Sequence, residues 1–191
     1  MTSGRPRKPE TATAILDAAL AVFGEVGYEG MTIEAVAALA GVGKATIYRR
    51  WSSKDDLIIA AIQEVLTSVE VPDVGDMRRT LIAIVRGAIT LMKTSAAGSI
   101  FPRMAGEVAG RTPLGVRYVE SVISPRRAMV RSVLSQGVAD GVLRPDLDIA
   151  LLADTLVGPI ILRKILRELE DSPDDTPERV VDSLLEGWLL R

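Results

Sequence analysis

Apolar residues recur at spacings of three and four along almost the whole chain, and no segment alternates apolar and polar residues as a strand would. This periodicity predicts amphipathic helices that bury one face. In the first predicted helix, residues 10–26, the buried stripe is expected to be Ile15, Ala19, Val22, Phe23 and Val26. Because 48% of the 191 residues are hydrophobic, these helices can enclose a sizeable core. The sequence therefore predicts an all-α fold.

Helix-starting and helix-stopping residues divide this pattern into about nine helices. Gly27 and Gly41 are expected to end helices, Thr32 to begin one, a break is expected near Ala97-Gly98, and Pro125 is expected to kink or split a long helix. The predicted spans are residues 10–26, 33–40, 44–51, 53–71, 76–93, 100–109, 112–140, 148–170 and 176–190.

The residue types that are missing exclude several classes of function. The chain has no Cys and no His, which excludes disulfides, the commonest zinc sites and His-dependent catalytic triads. It contains no Gly-rich phosphate loop, and scattered acids such as Glu107, Asp154 and Glu168 are better explained as solvated than as catalytic. We expect no enzyme, no cofactor and no metal. The polar N-terminus and the absence of a long apolar segment predict a cytoplasmic protein without a membrane contact.

Charge is distributed unevenly along the chain, although the net charge is only −2. Residues 1–54 carry seven basic and five acidic residues, whereas residues 55–191 carry 16 basic and 20 acidic ones. Residues 1–9, which include Arg5, Arg7 and Lys8, are polar and proline-containing, so we expect a flexible basic arm there. A basic end on an acidic remainder points to a nucleic acid bound at that end.

Residues 32–51 have the spacing of a helix-turn-helix. Ile47 and Trp51 lie four residues apart and share a face that can pack on the preceding helix. The residues left toward solvent are Lys44, Ala45, Thr46, Tyr48 and Arg49. Any three-helix cluster also has a polar outer face, but no acidic residue occurs between Lys44 and Lys54. This favours a recognition helix that enters a DNA major groove.

The segment from Ile15 to Leu57 resembles the DNA-binding domain of the TetR family. The matching pieces are A-x-x-x-F-x-x-x-G-Y from Ala19 to Tyr28, T-I-E-A-V-A from Thr32, A-G-V-G-K-A-T-I-Y-R-R-W from Ala40, and S-K-D-D-L from Ser53. The resemblance implies a helix-turn-helix DNA-binding domain over residues 10–54 and a helical regulatory and dimerisation domain over residues 55–191. It also implies a regulator that binds double-stranded operator DNA, more often as a repressor than as an activator.

The resemblance also implies individual roles. Thr32 would cap its helix and approach a phosphate, and Lys54 would contact another phosphate. Lys44, Ala45 and Thr46 would face base edges, and Tyr48 and Arg49 would contact the DNA backbone. Arg5, Arg7 and Lys8 would follow the backbone or enter the minor groove. Gly43 stands where the family usually has Ser or Thr, so it can still cap the helix but lacks a hydroxyl contact.

The two most apolar C-terminal helices suggest a homodimer. The helix from residue 148 is apolar nearly all round, so it must be covered on more than one side. Two such helices from each of two chains would make a symmetric four-helix interface, and a dimer would read two symmetric half-sites. The predicted interface residues are Leu152, Leu156, Pro159, Ile160, Leu184, Leu185 and Trp188.

The helical regulatory domain is expected to bind a small-molecule effector. The flexible apolar side chains of Met92, Phe101, Met104 and Met129 are candidate pocket residues, although each one alone is also an ordinary core residue. The hypothesis is an unidentified, largely apolar ligand that binds two conformations with different affinity and so releases the DNA. An alternative is a helical-bundle protein that binds lipophilic small molecules and has a non-functional DNA-binding head. The acid-free Lys44–Lys54 face argues against that alternative.

Overall fold

The computed structural model describes residues 8–67, 75–93, 95–166 and 176–189. Every element of regular secondary structure in these ranges is a helix. The α-helices are α1 Lys8–Gly30, α2 Ile33–Leu39, α3 Lys44–Tyr48, α4 Lys54–Thr67, α5 Met77–Lys93, α6 Ser95–Ala109, α7 Pro113–Tyr118, α8 Ser124–Ala139, α9 Ile149–Ile165 and α10 Pro177–Leu185. A π-helical turn, Val119–Ile123, joins α7 to α8 without a break. The predicted all-α class is confirmed.

The helices begin where side chains can accept the free backbone N–H groups of the first turn. The hydroxyls of Thr32, Thr112 and Thr176 each accept a hydrogen bond from the backbone N–H three residues later. The carboxylate of Asp148 accepts from the N–H groups of Ala150 and Leu151. These local signals explain why most helix starts were predicted closely.

The first helix differs from its prediction at both ends. It begins at Lys8, so Lys8 and Pro9 are helical and the predicted flexible arm is wrong for these two residues. At Gly27 the backbone leaves helical geometry with φ 74° and ψ −177°, which a residue with a side chain would adopt only with strain. Val26, one residue before this bend, is 48% exposed and does not belong to the buried stripe. Ile15, Ala19 and Phe23 of that stripe are fully buried, as predicted.

The predicted break near Ala97-Gly98 is wrong, because α6 runs continuously from Ser95 to Ala109. A glycine within a helix costs only about 1 kcal/mol relative to alanine. Packing of α6 against α1, α5 and α7, with Ile100 and Met104 buried, outweighs this cost. Two other helices are shorter than predicted, because α3 ends at Tyr48 and α10 ends at Leu185.

The long helix predicted over residues 112–140 is not split at Pro125, because α7, the π-helical turn and α8 follow each other without a break; the helix type changes just before the proline instead. Proline has no N–H group for the carbonyl of Ser121, four residues earlier. The chain forms the π-helical turn at this point, and the Ser121 carbonyl accepts a hydrogen bond of 3.1 Å from the side-chain amide of Gln63 in α4. The π-helical turn is therefore tied to α4.

Two packed regions follow from these contacts. The head comprises α1, α2 and α3, and the body comprises the helices from α5 to α10, while α4 packs on α1 and also contacts α7 and the π-helical turn. In the body, α5 lies against α6, α8, α9 and α10. The stretch Thr11–Gly30 of α1 is long and apolar enough to cross a membrane by length and composition alone. Here it packs on α4 and α6 and buries Ile15 and Phe23, so it is a core helix of the head.

Candidate nucleic-acid interface and ligand cavity

The connection between α2 and α3 positions α3 on the surface. Gly41 turns the chain with φ 65°, and α3 begins directly after Gly43, whose extended backbone caps the helix without a side-chain hydrogen bond. Ile47 is fully buried, and Val36 and Ala37 of α2 belong to the same core. A helix of five residues is too short to be stable alone. Burial of Ile47 therefore holds α3 and fixes which of its faces is exposed.

The opposite face of α3 presents most of the residues predicted to contact DNA. Lys44, Ala45, Tyr48 and Arg49 are exposed, and Tyr48 is 54% exposed although it is a large aromatic residue. Gly43 and Thr32 are also exposed, whereas Thr46 is half-buried. The face thus combines cationic, hydroxyl and small side chains, which are the types that approach base edges and phosphates in a major groove.

An acidic residue of α2 approaches this face. Nζ of Lys44 lies 2.9 Å from Oε1 of Glu34, and both side chains are more than half exposed. The hydrogen bond from Lys44 lowers the pKa of Glu34, and the same bond raises the pKa of Lys44. The absence of acids between Lys44 and Lys54 did not reveal this neighbour, because Glu34 lies ten positions earlier in the sequence.

Lys54 has a structural role that the sequence did not reveal. Its ammonium donates hydrogen bonds to the carbonyl oxygens of Tyr28, at 2.8 Å, and Met31, at 3.2 Å, and lies 4.0 Å from the centre of the Tyr28 ring. It therefore ties the start of α4 to the end of α1. Its contact with a phosphate remains a prediction. Arg5 and Arg7 lie outside the described residues, and Lys8 is the first residue of α1.

Two arginines of the body contact the head and the adjoining helix α4. Arg103 of α6 donates from Nε to the carbonyl of Gly24 and from Nη2 to that of Glu25, each at 2.9 Å. Free carbonyls near a helix C-terminus carry partial negative charge, so a guanidinium is a favourable partner. Arg117 of α7 donates instead to the carboxylate of Asp56 in the first turn of α4.

The carboxylates that Arg117 meets are part of a small network. Nη1 of Arg117 lies 3.8 Å from Oδ2 of Asp55, and the Tyr28 hydroxyl donates to Oδ1 of the same carboxylate. The hydroxyl of Ser52 and the guanidinium of Arg117 lower the pKa of Asp56 far below its ordinary value. Burial and the bond to Asp55 raise the pKa of Tyr28. No local sequence pattern predicts this network, because its members lie up to 89 positions apart, from Tyr28 to Arg117.

The body contains a cavity of about 690 Å³ between α4, α5, α6, α7, α8, α9 and the π-helical turn. Met92, Phe101 and Met129, three of the candidate pocket residues, line it, and their contact with a ligand stays a prediction. Met104 does not belong to the described lining and is 1% exposed, so it is a core residue rather than a pocket residue. This volume lies within the range of about 300–1,000 Å³ that is usual for small-molecule sites.

The predicted dimer interface needs a correction. Leu152, Leu156, Ile160 and Leu185 are at most 6% exposed in the single chain, so they are core residues of the body. The prediction failed because an almost wholly apolar helix does not reveal which face its own chain covers. Pro159 is exposed, and Leu184 and Trp188 are half-buried. Three further leucines lie on the exposed face of α9, each more than 50% exposed: Leu151 and Leu162 within the helix and Leu166 directly after it.

The chain matches family models along most of its length. Residues 15–61 match the model for bacterial regulatory proteins of the tetR family, and residues 71–184 match the tetracyclin repressor-like C-terminal domain. The fold and the exposed α3 face define a helix-turn-helix transcriptional regulator. The chain belongs to the TetR family of DNA-binding transcriptional regulators.

Individual relatives agree with this assignment. The HTH-type transcriptional regulator YdeS of Bacillus subtilis strain 168 is 32% identical over 88% of this chain and 86% of its own length. The DNA-binding transcriptional repressor TetR of Mycobacteroides abscessus is 31% identical over 78% of this chain and 84% of its own length. The fatty acid degradation regulator FadR from Bacillus halodurans has the same fold, with a TM-score of 0.75 at 20% identity over 96% of this chain and 98% of that one.

Proposed function

We propose that this protein is a repressor that binds a two-fold symmetric operator as a homodimer and leaves the DNA when a small, largely apolar molecule enters its cavity. One observation carries the DNA-binding part. The exposed face of α3 presents Lys44, Ala45, Tyr48 and Arg49, while Ile47 on its other side is fully buried. In this proposal α3 enters the major groove, and Thr32 contacts a phosphate at the start of α2.

The exposed apolar face of α9 supports the homodimer. Leu151, Pro159, Leu162 and Leu166 are spaced so that they lie along one side of the helix, and a row of exposed leucines is costly to leave in water. We propose that this row, with the half-buried Leu184 and Trp188 of α10, packs against its copy on a second chain. We expect Leu162→Lys to shift the protein from dimer to monomer in light scattering after size-exclusion chromatography. Ser135→Lys, on an exposed position of α8, is the matched control.

The helices α4 and α7 link the cavity to the head, which supports the release step. Leu66, in the last turn of α4, lines the cavity, while Lys54 at the other end of α4 holds the end of α1. Tyr118 also lines the cavity, and its neighbour Arg117 binds Asp56 of α4. A ligand that moves either helix therefore changes the contacts of the head. Release requires that the ligand bind the two arrangements with different affinity.

The deciding experiment is the selection of bound sequences from a random double-stranded DNA pool. We expect enrichment of a two-fold symmetric site, loss of that enrichment in a variant with Tyr48→Ala and Arg49→Ala, and a steep fall of affinity with salt concentration. Arg79→Ala, which removes an exposed arginine of the body, is the matched control and should enrich the same site. If the folded wild-type protein enriches no sequence at low salt, the regulator proposal fails. The cavity then favours a helical protein that only binds small lipophilic molecules.

A further inference from the structure

One arginine interrupts the apolar wall of the cavity. Tyr118, Val122, Arg126 and Val130 follow each other at intervals of four residues along α7, the π-helical turn and α8, and all four line the cavity. Residues at this spacing share one face of a helix. Val122 and Val130 are almost completely buried, at 0% and 4% exposure. Arg126 therefore occupies an inward position where an apolar residue would be expected.

The other charges at the cavity cancel each other. Among the residues described in its lining, the charged ones are Arg126, Arg127 and Asp154. Both Nε and Nη2 of Arg127 donate to the carboxylate of Asp154, in a two-pronged pair at the rim where both side chains are more than 40% exposed. With this pair neutralised, the described lining keeps one net positive charge, and it is that of Arg126.

Arg126 uses little of its hydrogen-bonding capacity. In the part of the chain that the structure describes, its guanidinium makes one hydrogen bond, of 3.0 Å from Nη2 to the carbonyl of Leu66 at the end of α4. This bond satisfies a free carbonyl near a helix end, but a guanidinium has five N–H donors. Burial lowers the pKa of Arg126, which means that the surroundings do not fully replace the water it has lost. A half-buried cation with free donors is stabilised by an anion that fits them.

Tyr118 adds a hydroxyl to the same cavity wall. Its side chain is 4% exposed and lines the cavity, and its hydroxyl makes no hydrogen bond to a residue that the structure describes. Burial raises the pKa of Tyr118 to about 12, so the phenol stays protonated and can donate. Tyr118 and Arg126 line the same cavity, and the positive charge of Arg126 acts against the rise in the pKa of Tyr118.

We propose that the cavity takes an amphipathic organic anion, with its carboxylate or comparable end group on Arg126 and Tyr118 and its apolar part along the rest of the wall. The apolar wall comprises Ile84, Leu91, Phe101, Val122, Val157 and Ile161. This assignment rests on the proposed ligand-responsive function and specifies the chemistry of the effector. The charged end of the ligand decides the affinity, and its apolar part fills the cavity.

The test is calorimetric titration of the full-length protein with three probes that share one alkyl chain, namely decanoate, decanol and decylammonium. We expect decanoate to bind at least about tenfold more tightly than decanol, because a hydrogen-bonded charge pair replaces a neutral contact, and decylammonium to bind most weakly. Equal binding of decanoate and decanol, preferred binding of decylammonium, or no binding of any probe overturns the proposal.

Variants test the assignment to Arg126. In Arg126→Gln the preference for decanoate over decanol should disappear, while Arg79→Gln, which alters an exposed arginine of α5 outside the described lining, should keep it. Arg126→Lys retains the charge without the planar donor geometry and should keep a reduced preference, which provides a test if the Gln variant does not fold. A decanoate preference that survives in a folded Arg126→Gln protein overturns the assignment.

Calorimetry without DNA separates this inference from the proposed function. If the wild-type protein shows the decanoate preference but selects no operator, the anion site stands and the DNA-binding proposal fails. If it selects an operator but decanoate neither binds nor releases it, the DNA-binding proposal stands and the anion site fails.

Discussion

The head and the body are built from the same kind of secondary structure, but they are packed for different purposes. In the head, α1, α2 and α3 surround fully buried side chains such as Phe23 and Ile47. In the body, the helices surround a cavity of about 690 Å³. A filled core gives one arrangement of the exposed α3 face, whereas an open one leaves room for a second molecule.

The sharpest test of this difference compares the two phenylalanines of the chain. Phe23 is fully buried in the head, and Phe101 is half-buried at the cavity of the body. We expect Phe23→Ala to lower the free energy of unfolding by about 3–5 kcal/mol, and Phe101→Ala to lower it by about half as much or less, because an existing space is only enlarged. Urea denaturation at one fixed protein concentration measures both values. Equal losses would contradict the contrast between a filled and an open core.

A smaller effect is expected where α4 meets the body, at the contact of Arg117 with Asp56. Because the pKa of Asp56 is lowered in the folded protein, its contribution to stability is complete above the unfolded pKa of about 3.9 and is lost as the pH falls toward the lowered value. We expect Asp56→Asn to cost about 1 kcal/mol at pH 7, a modest figure because the Arg117 side chain is 40% exposed.

The pH dependence provides the check on that contact. The difference in unfolding free energy between wild type and Asp56→Asn should be constant from pH 8 down to about pH 5 and should shrink at lower pH. Glu186→Gln, which alters an exposed acid after α10, should show no comparable change and serves as the control. A difference that grows on acidification would mean that Asp56 does not owe its role to its charge.

The smallest expected effect concerns the head alone. Glu34 pairs with Lys44 on the face that is proposed to meet DNA, so its charge competes with phosphates for that lysine. We expect Glu34→Gln to strengthen DNA binding about two- to threefold at low salt, with the gain fading as salt rises, because exposed ion pairs are weak and screened. Fluorescence anisotropy with an operator fragment measures it. A weaker binding of the variant would show instead that Glu34 positions Lys44 for its contact.

The sequence could predict the head more fully than the body, for physical reasons. The turn at Gly41, the cap at Thr32 and the buried Ile47 all act over a few residues, so their consequences can be worked out from local spacing. The exposed α3 face follows directly from them. The contacts of Lys54, Arg103 and Arg117 join residues that are 23 to 79 positions apart, and no local pattern encodes such pairs.

The body shows where periodicity stops being informative. Along α9 nearly every position is apolar, so the pattern predicts burial without saying whether the same chain or a second chain provides it. That is why Leu152, Leu156, Ile160 and Leu185 were assigned to an interface although they lie in the core. In the same way, three of the four expected pocket residues line the cavity, but Arg126 and Tyr118 were missed because a single polar residue in a helix gives no signal of its own.

The bend at Gly27 has a consequence for anyone who would recombine this protein with its relatives. The φ of 74° favours glycine at that position, and a Cβ atom there would lie 2.9 Å from Nη1 of Arg103, so the end of that arginine side chain would have to shift. A chimaera joined between residues 54 and 55 would take Gly27 from one protein and Arg103 from another, although the two residues pack against each other. The unit to transplant is therefore the DNA-binding segment together with α4, Arg103 of α6 and Arg117 of α7, which hydrogen-bond to α1 and α4. An exchange of operator specificity should move these parts together.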